Sequence, residues 1–158
     1  MSNFEVSEPI LNSPYDEPAE HWYIEEGEEP KRLPGRRAAG YFYRDPRAPA
    51  DAEHAARGSW VELRLVNLIR ERVKTWRGQR WPGVSRTTLE LLEYWQRDGR
   101  DKRLFFAQLE AAEIIVFLNE ARADFLQGVT VPMDEPSDDR KADGFAAFRR
   151  YACKMATG

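Results

Sequence analysis

Proline placement is the feature that most constrains the first third of this 158-residue chain. Proline fixes φ and lacks a backbone N–H donor, so closely spaced prolines exclude any long helix. We therefore read residues 1–56 as a proline-rich, charged region without long helices. Its prolines are Pro9, Pro14, Pro18, Pro30, Pro34, Pro46 and Pro49.

Two aromatic stretches interrupt this region: "HWYIEE" at residues 21–26 and "GYFYRD" at residues 40–45. Aromatic and β-branched residues favour strands. The segment between the two stretches, "GEEPKRLPGRR", is rich in turn-forming residues. We therefore predict a small β-hairpin in which the two aromatic stretches pair with each other.

Charge in this region is segregated. The first thirty residues carry nine acidic residues and no Lys or Arg, whereas five basic residues between Lys31 and Arg44 precede the next acid. An acidic N-terminus is the wrong sign for a signal or transit peptide. Such charge blocks are typical of solvated faces that attract each other, although the basic block could also contact phosphates.

Helical periodicity dominates residues 57–130, where we predict three helices. The first covers residues 59–77, and its apolar face consists of Val61, Leu65, Leu68, Ile69, Val73 and Trp76. The second begins at Thr87, with Glu90 completing a capping box, and is ended by Gly99. It buries Leu89, Leu92 and either Tyr94 or Trp95. The third covers residues 101–123 and is the most apolar, with "IIVFL" in its second half.

Residues 131–158 form the third region, predicted as an acidic linker, a short helix and a strand over residues 151–155. The chain is thus predicted to be mainly α with a small β element. Cys153, the only cysteine, falls in that strand and is expected to be buried. One cysteine excludes an internal disulfide and favours a cytoplasmic location. No metal site and no membrane-spanning segment are expected, since no apolar run approaches about 18 residues.

A basic cluster with interleaved tryptophans lies between Arg57 and Arg86. Alternating cations and aromatic rings are one way to follow a nucleic-acid backbone and stack bases. The alternative is that the arginines line an exposed helix face while the tryptophans form the core. The nucleic-acid candidates are Arg70, Arg72, Lys74, Arg77 and Arg80.

The last eight residues, "YACKMATG", combine a short apolar stretch with a turn of small residues. A strand that leads into small residues is how a phosphate-binding loop begins, because small residues let backbone N–H groups surround phosphate oxygens. The candidates for that loop are Met155, Ala156, Thr157 and Gly158. An ordinary C-terminal tail is the alternative interpretation of so short a motif.

A family resemblance covers almost the whole chain. "KMATG" resembles the start of "ATGSGKT", the phosphate loop of superfamily two helicases. The string "EPILNSPYDEPAEHWYIEEGEEPKRLPGRRAAGYFYRDP", the helical strings "WVELRLVNLIRERVKTWR" and "RTTLELLEYWQRDGRDKRLFFAQLEAAEIIVFLNEA", and the ending "RRYACKMATG" are similar to the N-terminal region of type III restriction endonuclease motor subunits.

This resemblance implies that residues 151–155 are the first strand of an incomplete RecA-like α/β core, and that the chain ends within its phosphate loop. It further implies ATP and Mg²⁺ as cofactors, and double-stranded DNA and a methylation or specificity subunit as partners. Gln108 resembles the glutamine that contacts adenine in related motors. The loop lysine and hydroxyl, the acidic pair and the nuclease carboxylates are absent from this sequence, so catalysis by this chain alone is not expected.

Two other functions are also compatible with the sequence. One is a small helical accessory protein that docks on a motor subunit. The other is a sequence-independent nucleic-acid-binding module built on the cluster between Arg57 and Arg86, whose affinity would fall steeply with salt.

Overall fold

A computed structural model describes residues 6–24, 28–43 and 59–153. Within these ranges the chain combines four helices with two small antiparallel two-stranded sheets, so the predicted combination of helices with a small β element is observed. The strands are β1 (Glu20–Tyr23), β2 (Lys31–Pro34), β3 (Gly40–Tyr43) and β4 (Ser59–Glu62). The helices are α1 (Arg64–Gly78), α2 (Arg86–Gln96), α3 (Phe106–Glu120) and α4 (Asp138–Ala142).

The chain divides into two compact units. The first unit comprises residues 1–67 and 100–106 and holds all four strands, whereas the second comprises residues 68–99 and 107–158 and holds most of the helical residues. No helix among the described residues is both long and apolar enough to cross a membrane.

Both aromatic stretches form strands, but the predicted pairing between them is wrong. β1 pairs antiparallel with β2, in a register that places Trp22 opposite Arg32. β3 pairs antiparallel with β4, in a register that places Phe42 opposite Trp60. The segment expected to be only a turn contains β2, with Pro34 at its end, where a missing N–H donor is tolerated. Each aromatic stretch therefore has a partner of its own.

The first predicted helix begins later than expected, because Ser59–Glu62 is strand β4. Asn67 secures this strand-to-helix junction: its Oδ1 accepts from the Ala39 N–H at 2.8 Å and its Nδ2 donates to Glu62 Oε1 at 2.8 Å. The Leu63 N–H also donates to the Ala39 carbonyl, at 2.9 Å. Residues 59–62 have a spacing that fits a helix, but they form a strand because they pair with β3.

The second unit is built around side chains from α1, α2 and α3. Val73, Trp76, Leu92 and Phe117 are fully buried, and the rings of Trp76 and Phe117 meet edge to face with centroids 5.3 Å apart. Burial of one large apolar side chain contributes about 1.5–3 kcal/mol. The predicted inward faces of the first two helices are confirmed at Ile69, Val73, Trp76 and Leu92.

Ser85, rather than Thr87, is the N-cap of α2. The Ser85 hydroxyl accepts from the Thr88 N–H at 3.2 Å, and its backbone is extended as an N-cap requires. The helix ends at Gln96, and Gly99 follows it with a φ of +76°. The "TTLE" capping box is therefore wrong by two residues, because a hydroxyl residue upstream takes the cap.

α3 is shorter than the predicted span of residues 101–123. The Phe106 N–H donates to the Pro14 carbonyl at 2.9 Å. This N–H lies in the first turn and has no acceptor within the helix, so Pro14 supplies its partner. The helix also buries two acidic residues, Glu110 and Glu113, which the sequence did not single out.

On either side of α4, the backbones of Asp134 and Phe148 form an isolated antiparallel bridge. Tyr151–Cys153 form no strand, so the described part of the predicted strand over residues 151–155 is not observed. Cys153 is exposed rather than buried. The reason is that a strand needs a partner, and no described strand pairs with this segment. The RecA-like core stays a prediction.

Candidate functional site

The predicted nucleotide site falls partly on described residues. Gln108 lies in the first turn of α3 with its side chain exposed. The four predicted loop positions, Met155, Ala156, Thr157 and Gly158, lie outside the described residues. The adenine role of Gln108 and the loop role of the last four residues therefore stay predictions.

The best-defined polar site of the second unit joins α1 to α3 through Arg77 and Glu113. The Arg77 Nε donates to Glu113 Oε1 at 3.0 Å and to Oε2 at 2.9 Å, and Nη2 donates to Oε2 at 2.5 Å. The Glu113 side chain is 0% exposed and that of Arg77 is 20% exposed. A guanidinium that faces both oxygens in this way gives the strongest type of ion pair.

Trp81 supplies a further donor to the same carboxylate. Its indole N–H donates to Glu113 Oε1 at 2.9 Å, and the Trp81 side chain is itself buried. Glu113 therefore has bonds from two residues that lie 36 and 32 positions earlier in the chain. An acidic residue directly before the apolar run "IIVFL" was the available sequence signal, because a buried carboxylate requires a partner.

An unusual turn after α1 places Trp81 in this position. Arg80 and Trp81 have φ values of +61° and +53°, in the left-handed region that non-glycine residues rarely occupy. The Trp81 N–H donates to the Trp76 carbonyl at 3.0 Å, and the Trp76 indole donates to the Pro82 carbonyl at 2.9 Å. The turn thus satisfies two buried tryptophan donors while it returns the chain toward α3.

A second polar site lies at the C-terminal end of α3 and supports the start of α2. Glu120 accepts from the Ser85 N–H through Oε2 at 2.8 Å and from the Thr88 hydroxyl through Oε1 at 2.8 Å. The hydrogen bond from the Ser85 backbone lowers the pKa of the Glu120 carboxyl, and the bond from Thr88 adds to this effect. A negative charge at a helix N-terminus is also favoured by the helix dipole.

The five predicted nucleic-acid residues are in different environments. Arg77 is engaged with Glu113, and Arg80 forms an exposed ion pair with Glu93. The Arg72 guanidinium donates to the Gln127 carbonyl at 3.4 Å. Arg70 is half-buried and Lys74 is exposed on α1. Arg77 is thus largely committed to the protein interior, whereas the others keep at least part of the side chain at the surface.

These polar sites serve mainly to stabilise the fold. Glu113 is buried and bonded by Arg77 and Trp81, so its oxygens are occupied by donors of the protein itself. In the described ranges, no group of three or more His, Cys, Asp or Glu side chains is placed to hold a metal ion. His21 instead contacts the Gly35 carbonyl through Nδ1 at 2.8 Å.

No protein-family model, curated protein or solved structure matches this chain.

Proposed function

We propose that this chain is the N-terminal region of an ATP-dependent DNA translocase or helicase subunit, of the kind found in type III restriction endonucleases. In such a protein the residues that follow Tyr151 lead into the phosphate loop that binds ATP and Mg²⁺. Double-stranded DNA and a methylation or specificity subunit are its partners. The chain itself supplies a folded helical region upstream of the motor core.

The observation that carries this proposal is the ending "YACKMATG", in the context of the other strings that resemble the same family. Small residues after an apolar stretch allow backbone N–H groups to approach phosphate oxygens. The lysine and hydroxyl that complete such a loop neutralise the phosphates and bind magnesium. In a longer chain, strands from the motor core would pair with this segment, whose described part, residues 151–153, has no strand partner among the described residues.

The exposed side chain of Gln108 is compatible with a role at the adenine ring. Its amide offers both a donor and an acceptor, which suits the edge of adenine. Because the side chain is exposed in the first turn of α3, a bound base needs no rearrangement of the buried core to reach it.

The test is a longer chain that continues from Gly158 through Ser-Gly-Lys-Thr or a close variant, followed by a helix. We expect this longer chain to bind ATP with Mg²⁺, and replacement of its loop lysine to abolish hydrolysis while the fold is kept. The present chain should show no turnover, because it lacks the lysine and hydroxyl. Turnover by the highly purified present chain would contradict the proposal, as would a downstream sequence unlike a phosphate loop.

The role of Gln108 has a separate test. Gln108→Ala in the longer chain should weaken ATP binding much more than GTP binding, since the two nucleotides differ only in the base. Equal losses for both nucleotides would remove the adenine role. The matched control is Gln127→Ala, an exposed glutamine outside the helices, which should leave both affinities unchanged.

A second candidate is a sequence-independent nucleic-acid-binding module, and the surface ion pairs of Arg80 and Arg86 favour it. Arg80 pairs with Glu93 and Arg86 with Glu90, in both cases with exposed side chains. Exposed pairs of this kind contribute about 0–1 kcal/mol, so phosphates can compete for the arginines. The test is duplex binding by the present chain as salt is raised. A steep decline that Arg80→Ala makes shallower favours the module, whereas absence of binding excludes it.

A further inference from the structure

The sheet formed by β3 and β4 presents aromatic side chains on both of its faces. Its register places Phe42 opposite Trp60, so these two side chains lie on one face. Tyr41 and Tyr43 alternate with Phe42 along β3 and therefore lie on the other face. Phe42 is 61% exposed and Trp60 is 41% exposed. Two large rings on one sheet face are thus open to solvent.

The Phe42 and Trp60 rings form an ordered pair. Their centroids are 5.0 Å apart and their planes are inclined at 64°, the edge-to-face arrangement that aromatic pairs prefer. Opposed aromatic pairs also stabilise an antiparallel sheet. Contact with Trp60 therefore restricts the motion of the Phe42 ring and holds its outer face toward solvent.

Gly40 and Arg37 hold the indole of Trp60 in place. A Cβ atom at Gly40 would lie 2.2 Å from Trp60 Cζ2, so the absence of a side chain at position 40 is what admits the ring. The Arg37 guanidinium lies 5.0 Å from the centroid of the Trp60 ring. A cation over an indole face is an attractive contact. The Trp60 ring is thus held in a fixed position, with the positive charge of Arg37 beside it.

A positive charge lies beside the two rings, at Arg37. Arg36 and Arg37 immediately precede β3, and no acidic residue lies between Lys31 and Arg44 in the sequence. Within the described residues no carboxylate pairs with Arg37. Glu62, opposite Gly40, is the acidic residue on the same sheet face, and its Oε1 accepts from Asn67 at 2.8 Å. An anionic ligand would therefore be favoured at the Arg37 side of the rings.

We propose that this face, consisting of Arg37, Phe42 and Trp60, binds single-stranded nucleic acid. A base stacks on the exposed ring of Phe42, with Trp60 as the adjoining wall, and Arg37 contacts a backbone phosphate. Exposed aromatic rings next to a cation are how proteins bind single strands without sequence readout. Duplex bases are stacked on each other and cannot use the Phe42 ring. This proposal does not depend on ATP binding and stands apart from the proposed motor function.

The experiment measures fluorescence anisotropy of a labelled oligothymidylate of about twelve nucleotides with the full chain. Phe42→Ala should weaken binding about tenfold or more, whereas Phe42→Trp should retain it. The matched control is Tyr43→Ala, which removes a ring of similar exposure, 51%, from the opposite face of the same strand. That variant should change the affinity by less than about twofold. Circular dichroism of each variant checks that the fold is kept.

Arg37→Ala gives an independent measurement. It should reduce the slope of the logarithm of affinity against the logarithm of salt concentration by about 0.7, the value for one phosphate contact on a single strand. The proposal is overturned if the oligothymidylate does not bind, if Phe42→Ala and Tyr43→Ala are equivalent, or if a hairpin duplex binds more tightly and is insensitive to Phe42→Ala. Binding of a proline-rich peptide in place of the oligonucleotide would likewise overturn it.

Discussion

The guanidinium of Arg77 on α1 meets the carboxylate of Glu113 on α3 through Nε and Nη2, at distances from 2.5 to 3.0 Å. This forked ion pair joins two helices whose contributing residues are 36 positions apart. The Trp81 indole completes the set of donors. The packing of the second unit therefore depends on an ionic contact as well as on apolar burial.

Removal of one member of this ion pair should lower the free energy of unfolding much more than replacement of both members by uncharged residues. Arg77→Ala leaves the Glu113 carboxylate buried without its counter-ion, and we expect a loss of about 3 kcal/mol in the free energy of unfolding. Arg77→Met combined with Glu113→Gln should be less destabilising than Arg77→Ala, because no charge is buried and an amide oxygen still accepts from Trp81. Urea unfolding followed by circular dichroism measures both. A double variant that is less stable than Arg77→Ala would contradict this account.

Two glycines of the second unit should respond to alanine in opposite ways. Gly83 has a φ of +101°, and a Cβ atom there would lie 2.9 Å from both the Glu120 carbonyl oxygen and the Arg122 nitrogen. Gly83→Ala should therefore cost more than about 1 kcal/mol. Gly78 ends α1, and a Cβ atom there would meet nothing within 4 Å. Gly78→Ala should be neutral or stabilising by up to about 1 kcal/mol. Thermal unfolding of both variants tests the contrast.

The observed N-cap of α2 also has a direct test. Ser85→Ala removes the hydroxyl that accepts from the Thr88 N–H, and it should reduce stability by about 1 kcal/mol. Thr87→Ala is the control, since Thr87 is exposed and lies within the helix. That change should have little effect, because alanine is a better helix former than threonine. If Thr87→Ala proved the more harmful, the cap would lie where the sequence predicted it.

Glu120 should make the stability of the second unit depend on acid pH. Its pKa in the folded protein is lowered from 4.5 by the hydrogen bonds from the Ser85 backbone and from Thr88. The unfolded chain therefore takes up a proton at this carboxyl before the folded chain does. The stabilisation is present above about pH 4.5 and is lost as the pH falls through the lowered folded pKa.

Glu120→Gln should flatten this acid decline, as measured by unfolding curves at a series of pH values. The decline should not vanish, because Arg122 also lowers the pKa of Asp124. Adding Asp124→Asn should flatten it further. An unchanged pH profile in Glu120→Gln would show that the carboxylate does not act on stability through Ser85 and Thr88.

The element types were accessible from the sequence, since they depend on local pattern. The inward residues of α1 and α2 follow from helical spacing, and the strand character of β1 and β3 follows from their aromatic residues. Strand pairing was predicted wrongly because the segment around Leu33 looks like a turn by composition, while backbone pairing with β1 makes it a strand. Composition indicates which secondary structure a residue favours, but it does not indicate which strand is available to pair with it.

Element boundaries were decided by contacts distant in the sequence. Residues 59–62 fit the apolar period of α1, yet they pair with β3, and Asn67 bonds to the Glu62 side chain at their end. The Phe106 N–H is bonded to Pro14, which lies far earlier in the chain. A residue whose spacing fits both a helix and a strand adopts the structure in which its backbone N–H and C=O groups all find partners.

By itself the sequence determined that a proline-rich N-terminal part would lack long helices and that amphipathic helices would follow, because proline geometry and apolar spacing act locally. Only the tertiary structure decided that Arg77 would be drawn from the basic cluster to the buried Glu113, and that Trp81 would adopt a left-handed backbone to reach the same carboxylate. The physical reason is that a buried charge must be neutralised by whichever donors the fold brings within hydrogen-bonding distance, and that choice is made in three dimensions.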